Sequence, residues 1–181
     1  MTGVTDTTGS HSGKSSGPDV PPDVLVKWQG LIDLTADLCA VPVALLTRFY
    51  ATDINLVACA PQKDNPYKRG ETVGISNRLY CFAVATDRAP LLLHDAREDP
   101  AWADAPSANR GMVSYLGFPL LWPDGDVFGT ICMLDKVPRT YSRTHRELIL
   151  HFREVIESDL AHIHDQRASD SPPMERIGEL N

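Results

Sequence analysis

Residues 113–135, VSYLGFPLLWPDGDVFGTICMLD, decide the fold, because two apolar runs flank the turn sequence Pro123-Asp124-Gly125-Asp126. Proline presets the backbone dihedral near the start of such a turn, and glycine tolerates a positive φ at its exit. The pattern therefore predicts a β-hairpin. Pairing Trp122 with Val127 sets its register, so that Leu116 lies opposite Met133.

This register divides the hairpin into two faces, because side chains alternate along a strand. The first face is large and apolar and is expected to pack against helices: Trp122, Leu120, Phe118 and Leu116 with Val127, Gly129, Ile131 and Met133. The second mixes small, polar and aromatic groups, which suits a cavity: Tyr115, Gly117, Pro119 and Leu121 with Phe128, Thr130, Cys132 and Leu134. The hairpin is thus predicted to be central and covered on both sides, and a bulge at the turn would exchange the faces.

Apolar periodicity predicts the elements before the hairpin. A helix capped by Asp23 is expected to run to about residue 39, with an apolar face of Trp28, Leu31, Leu34 and Leu38. Strands at 41–49 and 54–60, a loop at 61–71 and a strand at 90–93 follow. Ser76 is expected to cap a short helix to about residue 86, and residues 94–111 form an irregular segment.

Ser142 is expected to begin the last helix, and Pro172-Pro173 to end it. Its apolar side chains follow a seven-residue rhythm: Ile149, Phe152, Ile156, Leu160 and Ile163. That rhythm predicts packing on the sheet, continued as a short coiled coil.

Composition bounds the function. The chain has 181 residues, 43% hydrophobic and 23% charged, which predicts one domain at 21–166, a disordered tail at 1–20 and a C-terminal tail or linker at 167–181. A net charge of -7 argues against nucleic acid as a partner. No apolar run nears the ~18 residues of a membrane span, and no secretory signal is evident, so we expect a cytoplasmic protein. The four cysteines have the spacing of neither a zinc site nor a disulfide framework.

Several short motifs lie along residues 62–135. They are NPYKRGE at 65–71, LYC at 79–81, Trp102, GMVSYLG at 111–117, Pro119, WPDG at 122–125 and FGTICMLD at 128–135. In this order they resemble the GAF domain of bacterial sensory proteins, and the likeness covers about residues 24–165. The resemblance implies an α+β fold: a six-stranded antiparallel sheet, with the first and last helices on one face and a pocket with short helices on the other. It also implies a regulatory role in signal transduction, through a homodimer of terminal helices or an output domain.

The expected site lies between the second hairpin face and the irregular segment. The predicted ligand-binding residues are Tyr80, Cys81, Val84, Trp102, Met112, Tyr115, Thr130 and Cys132, and the predicted pocket gate is Asn65, Tyr67, Lys68 and Arg69. Lys68 and Arg69 are candidates to attract an anion. Core packing for the first set and a solvated loop for the second are the alternatives. Neither the ligand nor any cofactor is identified by the sequence.

The histidines predict no metal site. His162 and His164 are two residues apart, so on a helix they point about 200° apart, and His94 with Asp95 has no spaced third ligand.

Other GAF-fold proteins are reductases, bilin-binding photoreceptors or cyclic-nucleotide-binding domains, and this sequence lacks motifs of each. Cys81 matches by motif position one cysteine of GAF-fold free methionine-R-sulfoxide reductases, but residues 94–111 lack the second, so no catalytic residue is predicted. Bilin-binding GAF domains attach pigment at a cysteine followed by histidine, whereas Phe82 and Met133 follow Cys81 and Cys132. The N-K-x-F-D-E motif of cyclic-nucleotide phosphodiesterase GAF domains is absent. The sequence favours a binding module over an enzyme.

Overall fold

The computed structural model describes residues 17–76 and 78–170, and within them six strands form one antiparallel sheet. The elements are α1 (Pro22–Cys39), β1 (Val43–Phe49), β2 (Asp53–Cys59), β3 (Thr72–Gly74), α2 (Tyr80–Asp87), β4 (Leu91–Leu93), a 3-10 turn (Ala96–Glu98), α3 (Pro106–Asn109), β5 (Ser114–Leu121), β6 (Val127–Asp135) and α4 (Arg143–Asp170). The strand order is β3-β2-β1-β6-β5-β4, which confirms the predicted α+β fold and its central hairpin. Residues 1–16 of the predicted tail and the Pro172-Pro173 helix end lie outside the described residues.

The β5–β6 hairpin has the predicted register over most of its length, from Ser114 opposite Asp135 to Leu120 opposite Gly129. Near the turn the prediction is wrong: Leu121 faces Val127, which leaves Phe128 as an extra residue in β6. Such a bulge turns the extra side chain to the other face. The Phe128 ring therefore packs on the helix side, 5.6 Å from the ring of Trp28, and not on the cavity side.

Helix α1 packs on the sheet through only part of the predicted apolar face. Its buried residues are Trp28, Ile32, Thr35, Ala36 and Cys39, and Leu31 packs beside them. Leu34 and Leu38 are 48% and 65% exposed, so the prediction is wrong for these two residues. The buried and the predicted stripes both have helical spacing, and the structure selects the one whose small residues Ala36 and Cys39 let the helix approach the sheet closely.

The predicted N-caps are correct for one helix of three. Ser142 caps α4, since its Oγ accepts from His145 N at 3.3 Å and His145 Nδ1 accepts from Ser142 N at 3.1 Å. Asp23 does not cap α1: Pro21 occupies that position, and Asp23 lies in the first turn, where the helix dipole favours a carboxylate. Ser76 does not cap α2, which begins four residues later; its Oγ accepts from Arg78 N in the preceding turn.

The first and last helices pack together on one side of the sheet. Asp159 of α4 accepts hydrogen bonds from Trp28 Nε1 at 2.9 Å and Lys27 Nζ at 2.8 Å. Of the predicted α4 stripe, Ile149, Ile156, Leu160 and Ile163 are buried and Phe152 is half-buried. None of the helices in the described part of the chain combines the length and apolar character needed to cross a membrane.

Strand β1 separates two layers of packing. Thr47 faces the side away from the terminal helices, where Thr130 N donates to its Oγ1 at 3.0 Å. The next residue, Arg48, faces the helix side, with its guanidinium 5.4 Å from the Phe128 ring centroid. Its Nη2 donates to the carbonyls of Gly17 and Pro18, at 3.2 and 2.9 Å, which holds the chain that leads into α1.

Candidate ligand pocket

A cavity of about 90 Å³ lies on the side of the sheet opposite the terminal helices. All the strands except β4 contribute to its floor, and α2, α3 and the loop between β2 and β3 form its other sides. Four predicted ligand-binding residues line it, together with one predicted gate residue: Tyr80, Cys81, Tyr115, Cys132 and Tyr67. The structure thus brings together side chains that lie up to 65 residues apart in sequence.

The other predicted ligand-binding residues lie behind the cavity wall. Val84, Trp102 and Met112 belong to the apolar cluster around Tyr80. The Tyr80 ring lies 5.4 Å from that of Trp102, and the Tyr80 hydroxyl donates to the Met112 carbonyl at 3.2 Å. Thr130 is buried and paired with Thr47, with 2.8 Å between their hydroxyls. These residues position the lining groups and do not line the cavity themselves.

Of the predicted gate, only Tyr67 reaches the cavity. Asn65 shapes the loop that carries it, because Asn65 Oδ1 accepts from Tyr67 N at 2.9 Å and Nδ2 donates to the Ala60 carbonyl at 2.8 Å. Lys68 and Arg69 are exposed and do not line the cavity.

Tyr115 lines the cavity, but its hydroxyl is enclosed in the wall. The side chain is 1% exposed, and among the described residues the hydroxyl makes no hydrogen bond to a nitrogen or oxygen atom; the Cys132 thiol lies beside it. The Tyr115 hydroxyl lies over Gly117. A Cβ added to Gly117 would fall 2.2 Å from the hydroxyl oxygen, so only glycine leaves room for the ring. Burial, followed by the nearby Cys132 and Cys81 thiols, holds the pKa of Tyr115 well above its ordinary value, so the hydroxyl stays protonated.

The two lining thiols are protonated at neutral pH. Burial raises the pKa of Cys81 to about 12, an effect that hydrogen bonds from its own and the Phe82 backbone only partly oppose. Burial, and then the neighbouring Cys81, also raises the pKa of Cys132. A thiol nucleophile needs a nearby cation or base that lowers its pKa. Among the described residues, no cation lowers the pKa of Cys81 or of Cys132.

The rim of the cavity carries a positive charge. Arg110, which follows α3, lies with its guanidinium carbon 5.5 Å from the Tyr67 ring centroid. Its Nη1 is 3.8 Å from Glu71 Oε1. The Tyr67 hydroxyl lies 3.4 Å from Ser107 Oγ, which joins the loop to α3 across the mouth.

A family model described as the GAF domain matches residues 28–158, well over half of the chain. The chain belongs to the GAF domain family. Its described fold agrees with that assignment, since solved GAF structures share it.

One similar structure is the GAF domain of an Acinetobacter phosphoenolpyruvate-protein phosphotransferase: TM-score 0.62, 17% identity, 80% of this chain and 86% of that one covered. Another is a methyl-accepting chemotaxis protein fragment, with TM-score 0.65, 19% identity and coverage of 81% and 93%. A third is the free methionine-R-sulfoxide reductase from Neisseria meningitidis, with TM-score 0.62, 11% identity and coverage of 79% and 80%. Curated protein sequences give no match. Identities this low show a shared fold and nothing finer.

Sequence reasoning missed most of the apolar lining of this GAF domain. The unpredicted lining residues are Leu45, Thr47, Ile54, Leu56, Val73, Leu79, Pro106, Ser107, Arg110 and Leu134. A signal for some of them was present. Leu134 lies on the predicted cavity face of the hairpin, although it is not among the predicted site residues, and the alternation of side chains along β1 would have added Leu45 and Thr47. Arg110 carried no signal in the sequence, because only the fold of residues 94–111 brings it to Tyr67.

Proposed function

We propose that this GAF domain is a cytoplasmic sensory module of bacterial signal transduction, which binds a small molecule in the cavity beneath Tyr67 and α3. The observation that carries the proposal is the cavity itself, in which three tyrosines and two thiols stand among apolar side chains on the sheet face opposite the terminal helices. Ligand sites are commonly concave and mostly apolar, with a few polar groups that orient the ligand.

The size of the cavity bounds the ligand of this closed form. An apolar cavity of about 150 Å³ holds one benzene, and ligand pockets commonly reach about 300–1,000 Å³. The 90 Å³ cavity therefore takes only a few non-hydrogen atoms unless its cover moves. Its cover consists of the 61–71 loop and the single turn of α3, which are joined by the Tyr67–Ser107 contact.

The terminal helices are the proposed output of the module. Asp159 joins α1 to α4, which supports a joint response of the two helices. The exposed Leu34 and Leu38 give α1 an apolar outer stripe that supports pairing with a second copy, and an output domain in the same or another chain is the alternative. Ligand binding changes the population of the two states by its difference in affinity for them.

A thermal-shift and native mass spectrometry screen against a metabolite library tests the binding proposal. We expect at least one compound to raise the melting temperature and to remain bound in native spectra. Cys81→Met, which fills the cavity from α2, should abolish the shift. Phe82→Met on the same helix, at a position that does not line the cavity, should retain it. A shift that survives Cys81→Met places the ligand elsewhere and contradicts the proposal.

A thiol enzyme resembling free methionine-R-sulfoxide reductase is the second candidate. It is favoured by two cysteines, Cys81 and Cys132, that line one cavity. The high pKa of both thiols disfavours it, and we propose that the chain is not an enzyme. Incubation with methionine-R-sulfoxide and dithiothreitol should give no turnover; turnover that Cys81→Ser abolishes would establish the enzyme instead.

A further inference from the structure

The cavity has one formal charge, and that charge is positive. Of the described residues that line it, Arg110 alone carries a formal charge; the others are apolar, aromatic, hydroxyl or thiol side chains.

Arg110 is placed to receive an anion. Its side chain is 49% exposed, and its distance of 3.8 Å from Glu71 Oε1 exceeds that of a hydrogen bond. Glu71 is also engaged elsewhere, because its Oε2 accepts from Lys68 N at 3.1 Å. The guanidinium therefore keeps donors for a carboxylate, whose geometry it matches with two parallel hydrogen bonds.

The charge and the size of the cavity together limit the ligand. The Arg110 guanidinium already lies 3.8 Å from Glu71, so it offsets at most one further negative charge, whereas a di- or triphosphate would leave more charge uncompensated beside apolar walls. The apolar floor of Leu45, Leu56 and Leu134 favours a hydrocarbon body.

We infer that the ligand of this cavity is a small monocarboxylate, with its carboxylate on Arg110 and its short apolar body over the sheet. This inference rests on the proposed binding function and deepens it. The propyl chain of butyrate has half as many carbon atoms as benzene, which suits a cavity smaller than the one that holds benzene.

The test compares three probes that differ in charge: butyrate, butyramide and butylammonium. Each is titrated into the ¹⁵N-labelled chain, and the amide shifts of cavity residues are followed by NMR. We expect butyrate to bind about tenfold more tightly than butyramide. This ratio is at the lower end of the range for a charge-assisted hydrogen bond, because Arg110 is half exposed to water. Butylammonium should bind more weakly still.

Variants assign that preference to Arg110. Arg110→Gln should remove the difference between butyrate and butyramide, and Arg110→Lys should retain part of it. Arg143→Gln, which removes the same charge from α4 on the other side of the sheet, should leave the difference unchanged. Glu71→Gln should tighten butyrate binding, because it removes the competing carboxylate.

The outcomes separate this inference from the binding function. Equal affinities for the three probes, or an unchanged ratio in Arg110→Gln, overturn the monocarboxylate while cavity shifts still support a sensor. The same holds if only neutral library compounds shift the cavity residues. If no probe or library compound shifts them, both the inference and the proposed function fail.

Discussion

The hydroxyls of Tyr115 and Tyr80 occupy one aromatic cluster, with ring centroids 5.1 Å apart, yet differ in hydrogen bonding. We predict that Tyr115→Phe raises the free energy of unfolding by about 1 kcal/mol, because the buried hydroxyl it removes bonds to no nitrogen or oxygen atom and has only the weakly bonding Cys132 thiol beside it. Tyr80→Phe should lower it by about 1 kcal/mol, because the Met112 carbonyl loses its donor. Urea denaturation of the ligand-free chain measures both. A lower stability in Tyr115→Phe would mean that the hydroxyl is already paired.

The thiol of Cys81 makes stability depend on alkaline pH. Its pKa rises from the ordinary value of 9.0 to about 12 on folding, so between these values the unfolded chain has lost a proton that the folded chain keeps. The stabilisation is complete below pH 9 and declines as the pH rises towards 12. We predict that the melting temperature falls from pH 8.5 to 10.5, and less steeply in Cys81→Ala. Equal slopes in the two proteins would contradict the assignment to Cys81.

Individual site residues were predictable where they belong to a regular element or to a family motif, as Tyr67 does in the loop. Tyr115 and Cys132 follow from alternation along the hairpin, and Tyr80 and Cys81 from the family resemblance. Lys68 and Arg69 were more prominent cations in the sequence than Arg110. A loop residue's direction depends on backbone that has no repeating pattern, so the choice between these cations was not available from spacing.

At the scale of elements, β1 and β6 leave no room for a side chain at Gly129. A Cβ on Gly129 would lie 1.8 Å from the carbonyl oxygen of Thr47, so the two strands must separate to admit it. We predict that Gly129→Ala lowers the free energy of unfolding by about 3 kcal/mol. Gly74→Ala in the edge strand β3, where no atom lies within 4 Å, is the control and should cost below about 1 kcal/mol. Chemical denaturation compares them, and a similar loss in both would contradict the packing argument.

Elements with long, consistent patterns were predictable, and their details were not. The β5–β6 register followed from the turn sequence, whereas the bulge at Phe128 depends on space beside Trp28 and Trp122. Strand β3 has three residues, too few to show a period, and it forms only because β2 presents a free edge to it. On α1 two apolar stripes overlap, and only the sheet decides between them.

At the scale of the whole molecule, the proposed dimer uses the stripe that the sheet leaves outside. We predict that the chain is a dimer and that Leu34→Glu with Leu38→Glu makes it a monomer, since buried glutamates lack partners there. Val137→Glu, at a residue 54% exposed beyond β6, should leave the dimer intact. Size-exclusion chromatography with light scattering measures the mass. A monomeric parent protein, or an unchanged mass in the double variant, would contradict the interface.

The position of Thr47 beside Arg48 gives the molecule a short internal path. Thr47 lines the cavity, and one peptide bond later Arg48 binds the carbonyls of Gly17 and Pro18 on the opposite side of the sheet. A ligand that displaces Thr47 also displaces the residue that anchors the approach to the first helix. Both residues are held in register with β6, so the wall of the cavity and the anchor of the approach to the first helix share one position in the central part of the sheet.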